Sequence, residues 1–263
     1  MGRKTVFFDI DFTLFGEKDG RYFQIPQSTR EGIKLLKQNG HVPVICSGRQ
    51  SAFIKKYFSG MFDSYIALNG AHIVYGGKTI FDLEIPQKRI KELMDIFDKN
   101  NFKYIFDGKC SSWARNIPEN KKSGVDAIYG IEGSILYDWE PEDVHANRAE
   151  FIFSDKSECE KAQALMPCGM ALSPNPGGLS ADLCFPGTDK ASGIKRFLEH
   201  SGTDRADAYA FGDGYNDITM MSAVGHGIAM GNAVDEVKRE ASYVTSDIFD
   251  DGIYNGLKHF GLI

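Results

Sequence analysis

The chain has 263 residues, a formal net charge of -6 and an apolar fraction of 42%, which is ordinary for a globular protein. The negative charge argues against a nucleic-acid partner, because binding a phosphate backbone usually leaves a basic footprint. A phosphorylated small molecule stays open as a ligand, since one metal ion and a few donors can reverse the field inside a pocket.

The cysteine pattern and the apolar runs predict the surroundings of the protein. The five cysteines include no C-x-x-C pair, and an odd number argues against a disulfide framework. The charged Arg3 and Lys4 lead directly into an apolar strand pattern, unlike a signal peptide. No apolar run approaches the ~20 residues of a membrane span. We therefore predict a reduced, cytoplasmic setting without a membrane partner.

Strand and helix patterns alternate in the first third of the chain. Ser28 and Glu31, at the start of the first helix pattern, have the spacing of a capping box. Such alternation predicts crossover units and a parallel sheet. The predicted elements are a strand over residues 6–10, a helix over 28–40, a strand over 42–46, a helix over 51–58 and a strand over 65–68.

The pattern changes in the middle of the chain to that of an α+β fold. Gly76 and Gly77 separate two short strands and predict a hairpin. Pro86 opens a helix pattern whose apolar residues share one face. These residues are Ile90, Leu93, Met94 and Phe97. The next predicted elements are strands over residues 102–106, 111–114 and 149–153, helices over 116–129 and 156–165, and strands within 170–186 around a turn at 174–178.

Alternation resumes after Lys190. The pattern predicts one α/β domain, Rossmann-like with a parallel sheet, formed by residues 1–82 and 187–263. Residues 83–186 would be an α+β insertion in it. The last predicted elements are helices over residues 191–199, 217–223, 233–241 and 252–260 and strands over 208–211, 227–230 and 243–245.

Two pairs of carboxylates follow predicted strands. Asp9 and Asp11 stand at i and i+2, so they share one side and suit a metal ion and a nucleophile. Asp213 and Asp217, with Asn216, lie in a glycine-rich turn and offer hard oxygen ligands that suit magnesium. Turns in which these side chains cap backbone amides are the simpler interpretation of each segment alone.

Two further segments suit an anion. Ser47 and Gly48, before Arg49, offer a hydroxyl and amides at a strand-to-helix turn, although a simple N-cap fits as well. Lys190 opens a helix, where its charge opposes the helix dipole. A solvated surface lysine is the alternative there. Ligands bind at the carboxyl ends of parallel strands, so all four segments could converge on one crevice.

In this order the four segments resemble the motifs of haloacid-dehalogenase-type phosphatases. Residues 230–233 and the length of the insertion resemble the Cof-type branch, which carries a large α+β cap. The sequence departs from the family pattern where Ser47 replaces the commoner threonine and Phe12 a common glycine. It also departs where Ser192 and Gly193 follow the lysine one step late. Each departure keeps the needed functional group, and the crowding at Phe12 concerns the shape of the substrate.

The resemblance implies magnesium-dependent hydrolysis of a small phosphorylated metabolite through an aspartyl phosphate. Asp9 would attack phosphorus, and Asp11 would act as general acid and base. Magnesium would be held by Asp9, the backbone carbonyl of Asp11 and Asp213, with Asp217 in or just behind the ligand shell. The groups implied to bind the phosphoryl oxygens are Ser47, the amides of Ile10 and Gly48, Lys190 and Asn216.

Two other functions fit the same motifs. A phosphotransferase or mutase would share them and differ in the acceptor of the phosphoryl group. A non-catalytic phosphate-binding regulator fits less well, because Asp9, Asp11, Lys190 and Asp213 are all present. In the insertion, Trp113 and Arg115 share one face of a predicted strand and could contact substrate. A core position and a surface position explain these two residues more simply.

Overall fold

The computed structural model describes residues 2–175 and 179–263, which form two compact units. The first unit contains the chain up to Gly48, Phe58–Phe81 and Asp189–Ile263. The second contains Arg49–Tyr57 and Asp82–Thr188. The second unit thus holds the predicted insertion and adds an earlier segment, which from its sequence looks like part of an ordinary crossover helix.

The described residues of the two units form sixteen strands and nine α-helices. The strands in chain order are β1 (Thr5–Phe8), β2 (Gly16–Lys18), β3 (Arg21–Gln24), β4 (Val42–Cys46), β5 (Tyr65–Ala67), β6 (His72–Tyr75), β7 (Lys78–Asp82), β8 (Lys103–Asp107), β9 (Ser112–Arg115), β10 (Ile135–Leu136), β11 (Arg148–Ile152), β12 (Ala171–Pro174), β13 (Ser180–Cys184), β14 (Ala208–Gly212), β15 (His226–Ala229) and β16 (Tyr243–Val244). The helices are α1 (Gln27–Gln38), α2 (Ser51–Phe58), α3 (Gln87–Lys99), α4 (Glu119–Tyr129), α5 (Lys156–Leu165), α6 (Lys190–Ser201), α7 (Ile218–Ala223), α8 (Asp235–Glu240) and α9 (Gly252–His259).

The main sheet of the first unit has the order β16-β15-β14-β1-β4-β5-β6-β7. Pairing is parallel from β16 to β5, which confirms the predicted parallel-sheet core. Central β1 is fully buried, as expected of a strand covered on both faces. Phe8 of β1 is level with Ile45 of β4 and Phe211 of β14, so the loops after these strands emerge together at one edge.

The sheet of the second unit has the order β10-β9-β8-β11-β13-β12 and is largely antiparallel. Its apolar core contains the predicted face of α3, from Ile90 to Phe97. Trp113 is 6% exposed in this core, and the Arg115 guanidinium lies 4.1 Å from the ring centroid of Trp139. The insertion therefore folds around its own hydrophobic core.

Several local predictions need correction. Helix α1 begins at Gln27 after Pro26, so Ser28 lies inside the helix and the predicted capping box with Glu31 is wrong. Proline fixes a φ angle that suits the start of a helix, so the helix begins earlier in the chain than predicted. The short hairpin of β2 and β3 was not predicted, because its residues are mostly exposed and carry no apolar alternation. Residues 176–178 of the predicted turn at 174–178 lie outside the described residues.

Within residues 2–175 and 179–263, every helix is too short or too polar to cross a bilayer. The cytoplasmic setting stays a prediction.

Candidate active site

A buried lysine joins two aspartates at the edge where β1 and β14 end. Lys190 Nζ lies 2.6 Å from Asp9 Oδ1 and 2.6 Å from Asp217 Oδ1. Lys190 is 1% exposed and Asp217 is fully buried, so the solvated-lysine alternative is wrong. Burying a charge is costly unless it is paired, and here one cation faces two carboxylates. The cluster therefore keeps excess negative charge inside the fold.

Close packing at the start of α6 delivers Lys190 to this cluster. Asp189 caps the helix, accepting from the Ser192 amide at 2.6 Å, while its own amide donates to Ser192 Oγ at 3.0 Å. At Gly193 the helix passes close to the chain at Gly70. A Cβ atom on Gly193 would lie only 3.0 Å from the Gly70 Cα atom. The lysine thus begins a helix whose position is set by a glycine contact.

Asp217 organises the loop that follows β14. Its Oδ2 atom accepts the backbone amides of Asp213 and Gly214 at 2.9 and 3.0 Å. A Cβ atom on Gly212 would lie 2.5 Å from Asp217 Cγ, a distance that real Cβ atoms essentially never show. The close approach of Asp217 therefore requires glycine at position 212.

We expect Gly212→Ala to displace Asp217 and loosen the loop that carries Asp213. The affinity for the magnesium ion that the motif resemblance implies should fall about 10- to 100-fold, the range typical when a group that orients metal ligands is lost. Titration of activity with magnesium measures this change. Gly124→Ala in α4 is the matched control, because nothing lies within 4 Å of its added Cβ atom. Equal magnesium affinities in both variants would contradict the assigned role of Gly212.

Thr13 links the loop after β1 to the loop after β14. Its Oγ1 atom donates to Asp213 Oδ1 at 2.8 Å, and Thr13 is fully buried. The motif resemblance includes Thr13, but this contact was not predicted, because its partner lies 200 residues away in sequence. The hydrogen bond orients the Asp213 carboxylate toward the cluster around Asp9.

The turn after Asp9 is tightly hydrogen-bonded. The carbonyl of Ile10 accepts the amides of Thr13, Leu14 and Phe15 at 3.3, 2.9 and 3.1 Å. Asn232 Nδ2 donates to the backbone carbonyl of Phe12 at 2.8 Å. These bonds fix the backbone on both sides of Asp11.

The carboxylates of Asp9, Asp213 and Asp217 form a group that fits a divalent cation. One ligand oxygen from each lies within 4.8 Å of the others. Burial, with repulsion from Asp217, raises the pKa of Asp9 to about 7, and burial with repulsion from Asp9 raises the pKa of Asp213 to about 8. The pKa of Lys190 is raised, because attraction to Asp217 and Asp9 outweighs the opposing effect of burial. Hard carboxylate oxygens that repel one another fit magnesium.

The other predicted site residues lie on neighbouring loops. Asp11 is half-buried in the turn after β1. Ser47 and Gly48 follow β4, the partner of β1, and Ser47 is 1% exposed. Asn216 is exposed in the short 3₁₀ turn before Asp217. Their placement at one edge agrees with phosphoryl binding, which stays a prediction for each of them.

Comparison with known proteins identifies the family. A sequence model of the haloacid dehalogenase-like hydrolases matches residues 6–257. The chain is 33% identical over 270 residues to the "Putative phosphatase YkrA" of Bacillus subtilis (strain 168), covering 100% of both. It is 23% identical to the pyridoxal phosphate phosphatase YbhA of Escherichia coli (strain K12), covering 96% of this chain and 97% of that protein.

A solved structure agrees with these matches. The sugar phosphatase BT4131, of haloacid dehalogenase subclass IIB, is 28% identical and superposes with a TM-score of 0.84, covering 99% of this chain and 100% of that chain. The chain therefore belongs to the haloacid dehalogenase-like hydrolases, in the Cof-type branch of phosphatases.

Proposed function

We propose that the protein hydrolyses a small phosphorylated metabolite, a sugar phosphate or similar phosphomonoester, with magnesium and an aspartyl-phosphate intermediate. The buried contact of Asp9 with Lys190 carries this proposal, because it holds a carboxylate at the end of the central strand beside a cation. Two of the relatives, the sugar phosphatase BT4131 and the pyridoxal phosphate phosphatase YbhA, act on small phosphoesters, which supports that substrate class.

In the first step, Asp9 attacks phosphorus, so that a carboxylate–phosphorus bond forms as the bond to the leaving oxygen breaks. Asp11 gives its proton to the leaving oxygen. In the second step, Asp11 takes a proton from water, which attacks the aspartyl phosphate and releases inorganic phosphate and free Asp9. Bound magnesium, held by Asp9, the Asp11 carbonyl and Asp213, would offset the repulsion between carboxylate and phosphoryl oxygens.

The remaining residues stabilise charge on the phosphoryl group. Contacts to Asp9 and Asp217 use two of the three N–H donors of Lys190, which leaves the third for a phosphoryl oxygen. Ser47, Asn216 and the amides of Ile10 and Gly48 would supply further donors. Asp217 already accepts Lys190 and two amides, which supports a position just behind the metal rather than a direct ligand.

We also propose that residues 83–186 act as a cap that selects the leaving group. Their separate hydrophobic core supports this, because such an insertion can vary without rebuilding the catalytic loops.

We expect activity to vanish in excess chelator and to return with magnesium, while calcium supports it poorly. Calcium prefers more ligands at longer distances and would disturb the site. Full activity in excess chelator would contradict the metal assignment.

Magnesium should also raise the unfolding midpoint, and more at pH 8 than at pH 5. At pH 5, below the raised pKa values of Asp9 and Asp213, both carboxyls hold protons that metal binding must displace. Calorimetry at both pH values measures the shift. Asp213→Asn should reduce it, whereas the exposed Asp63→Asn should retain it. A shift of equal size at both pH values would speak against these two ligands.

A phosphotransferase or mutase on the same scaffold is the second candidate. A hydrolase releases inorganic phosphate without an added acceptor, so a phosphate assay in buffer alone separates the two. A non-catalytic regulator would show no turnover on any phosphoester.

A further inference from the structure

Phe12 is an exposed aromatic residue in a catalytic turn that is otherwise shielded from solvent. Its exposure is 54%, whereas the other residues from 9 to 16 are buried or half-buried. An apolar side chain contributes to stability through the surface that it removes from water. Burial therefore does not explain a phenylalanine at this position.

The backbone of Phe12 is strained and firmly held. Its φ angle is 57°, in the left-handed region that is costly for any residue with a Cβ atom. Its amide donates to the carbonyl of Phe15 at 2.7 Å, and its carbonyl accepts from Asn232 at 2.8 Å. Asn232 is itself fixed, because its Oδ1 atom accepts the Ile248 amide at 3.0 Å. Glycine would occupy this conformation without strain, so an exposed, strained phenylalanine beside Asp11 indicates a function.

The position of Phe12 suits contact with the leaving group. Neighbouring Cα atoms are about 3.8 Å apart, so Phe12 adjoins the residue that would protonate the leaving oxygen. The group attached to that oxygen then lies within reach of an aromatic side chain. A phenyl ring favours flat partners with an apolar face, which heteroaromatic rings and the C–H faces of sugar rings provide.

We propose that Phe12 contacts the leaving group and selects phosphomonoesters whose leaving group is a ring over acyclic ones. This inference rests on the function proposed above.

Three esters that all release an alkoxide test it: pyridoxine 5′-phosphate, glucose 6-phosphate and glycerol 3-phosphate. All three leave as primary alkoxides with a similar need for a general acid, so a change in their relative rates caused by a substitution reports on recognition. Phe12→Gly should lower kcat/KM for the ring esters relative to glycerol 3-phosphate by about three- to tenfold, mainly through KM. Phe12→Tyr should keep the wild-type ratio. A fall for both ring esters indicates a general ring contact, and a fall for the pyridoxine ester alone indicates aromatic stacking.

Asn101→Gly is the control for strain, since Asn101 is also exposed and has a φ of 53° in the second unit. It should leave the ratio unchanged. An unchanged ratio in Phe12→Gly, or an equal loss on all three esters, would overturn the inference.

A binding measurement separates this inference from the proposed function. Calorimetry with pyridoxine 5′-phosphate and magnesium compares the Asp9→Asn protein with the Asp9→Asn, Phe12→Gly protein. Weaker binding by the double variant supports the Phe12 contact even if the wild type hydrolyses none of the esters, a result that would reject only the proposed function. Equal binding by the two proteins overturns the Phe12 contact whatever the turnover.

Discussion

Replacing Asp9 by asparagine should reduce turnover to the background of the assay. An amide is a poor nucleophile, and the covalent step has no substitute within the cluster. The fold should persist, because the amide oxygen can still accept a hydrogen bond from Lys190. The substitution also removes one negative charge from a buried group of carboxylates that repel one another. Steady-state assays and thermal unfolding of the same preparation measure the two effects.

The covalent intermediate can be observed directly. Wild-type protein quenched in acid during turnover should carry one phosphoryl group on the peptide that contains Asp9, and Asp9→Asn should carry none. The exposed Asp63→Asn removes the same charge and should match the wild type in both measurements. Substantial turnover by Asp9→Asn would show that water attacks the ester directly.

Asp11→Asn should slow turnover by ~10²–10⁴-fold, in a way that depends on the leaving group. The backbone carbonyl remains for the metal, and what is lost is a proton donor and base. A sugar alkoxide is strongly basic and leaves only with a proton, so its ester should scarcely phosphorylate Asp9. Nitrophenolate leaves without help, so Asp9 should still become phosphorylated, but hydrolysis of the intermediate would lack its base.

With nitrophenyl phosphate, Asp11→Asn should therefore release a burst of about one equivalent of nitrophenol per active site, followed by a slow steady state. Rapid-mixing absorbance measurements resolve the two phases. Equal slowing for both kinds of ester, without a burst, would mean that Asp11 is mainly structural.

Local patterns predicted most of the fold. Helices α2 and α5 begin and end where the sequence pattern predicts, and the buried face of α3 contains the four residues named from helical spacing. These predictions depend on residues within a few turns of one another. The hairpin of β2 and β3 has no such signal, because most of its residues are exposed and show no apolar alternation.

The candidate site could be predicted as a set of motifs but not as a set of contacts. Helical periodicity indicates that Lys190 opens a helix, yet its burial depends on Asp9, 181 residues earlier. The contacts of Thr13 and Asn232 could not be predicted for the same reason, since their partners lie 200 and 220 residues away in sequence. Gly212 opens the glycine-rich motif that contains Asp213, but the reason why glycine is required there follows only from the position of Asp217.

The central place of β1 has a consequence for synthesis on the ribosome. β1 leaves the ribosome before β4, with which it can pair early, but its other partner, β14, follows about two hundred residues later. At typical elongation rates this interval lasts about 10–40 s, during which one edge of an apolar strand has no partner. We therefore expect the nascent chain to depend on chaperones until β14 emerges, while the insertion, whose strands pair among themselves, folds earlier.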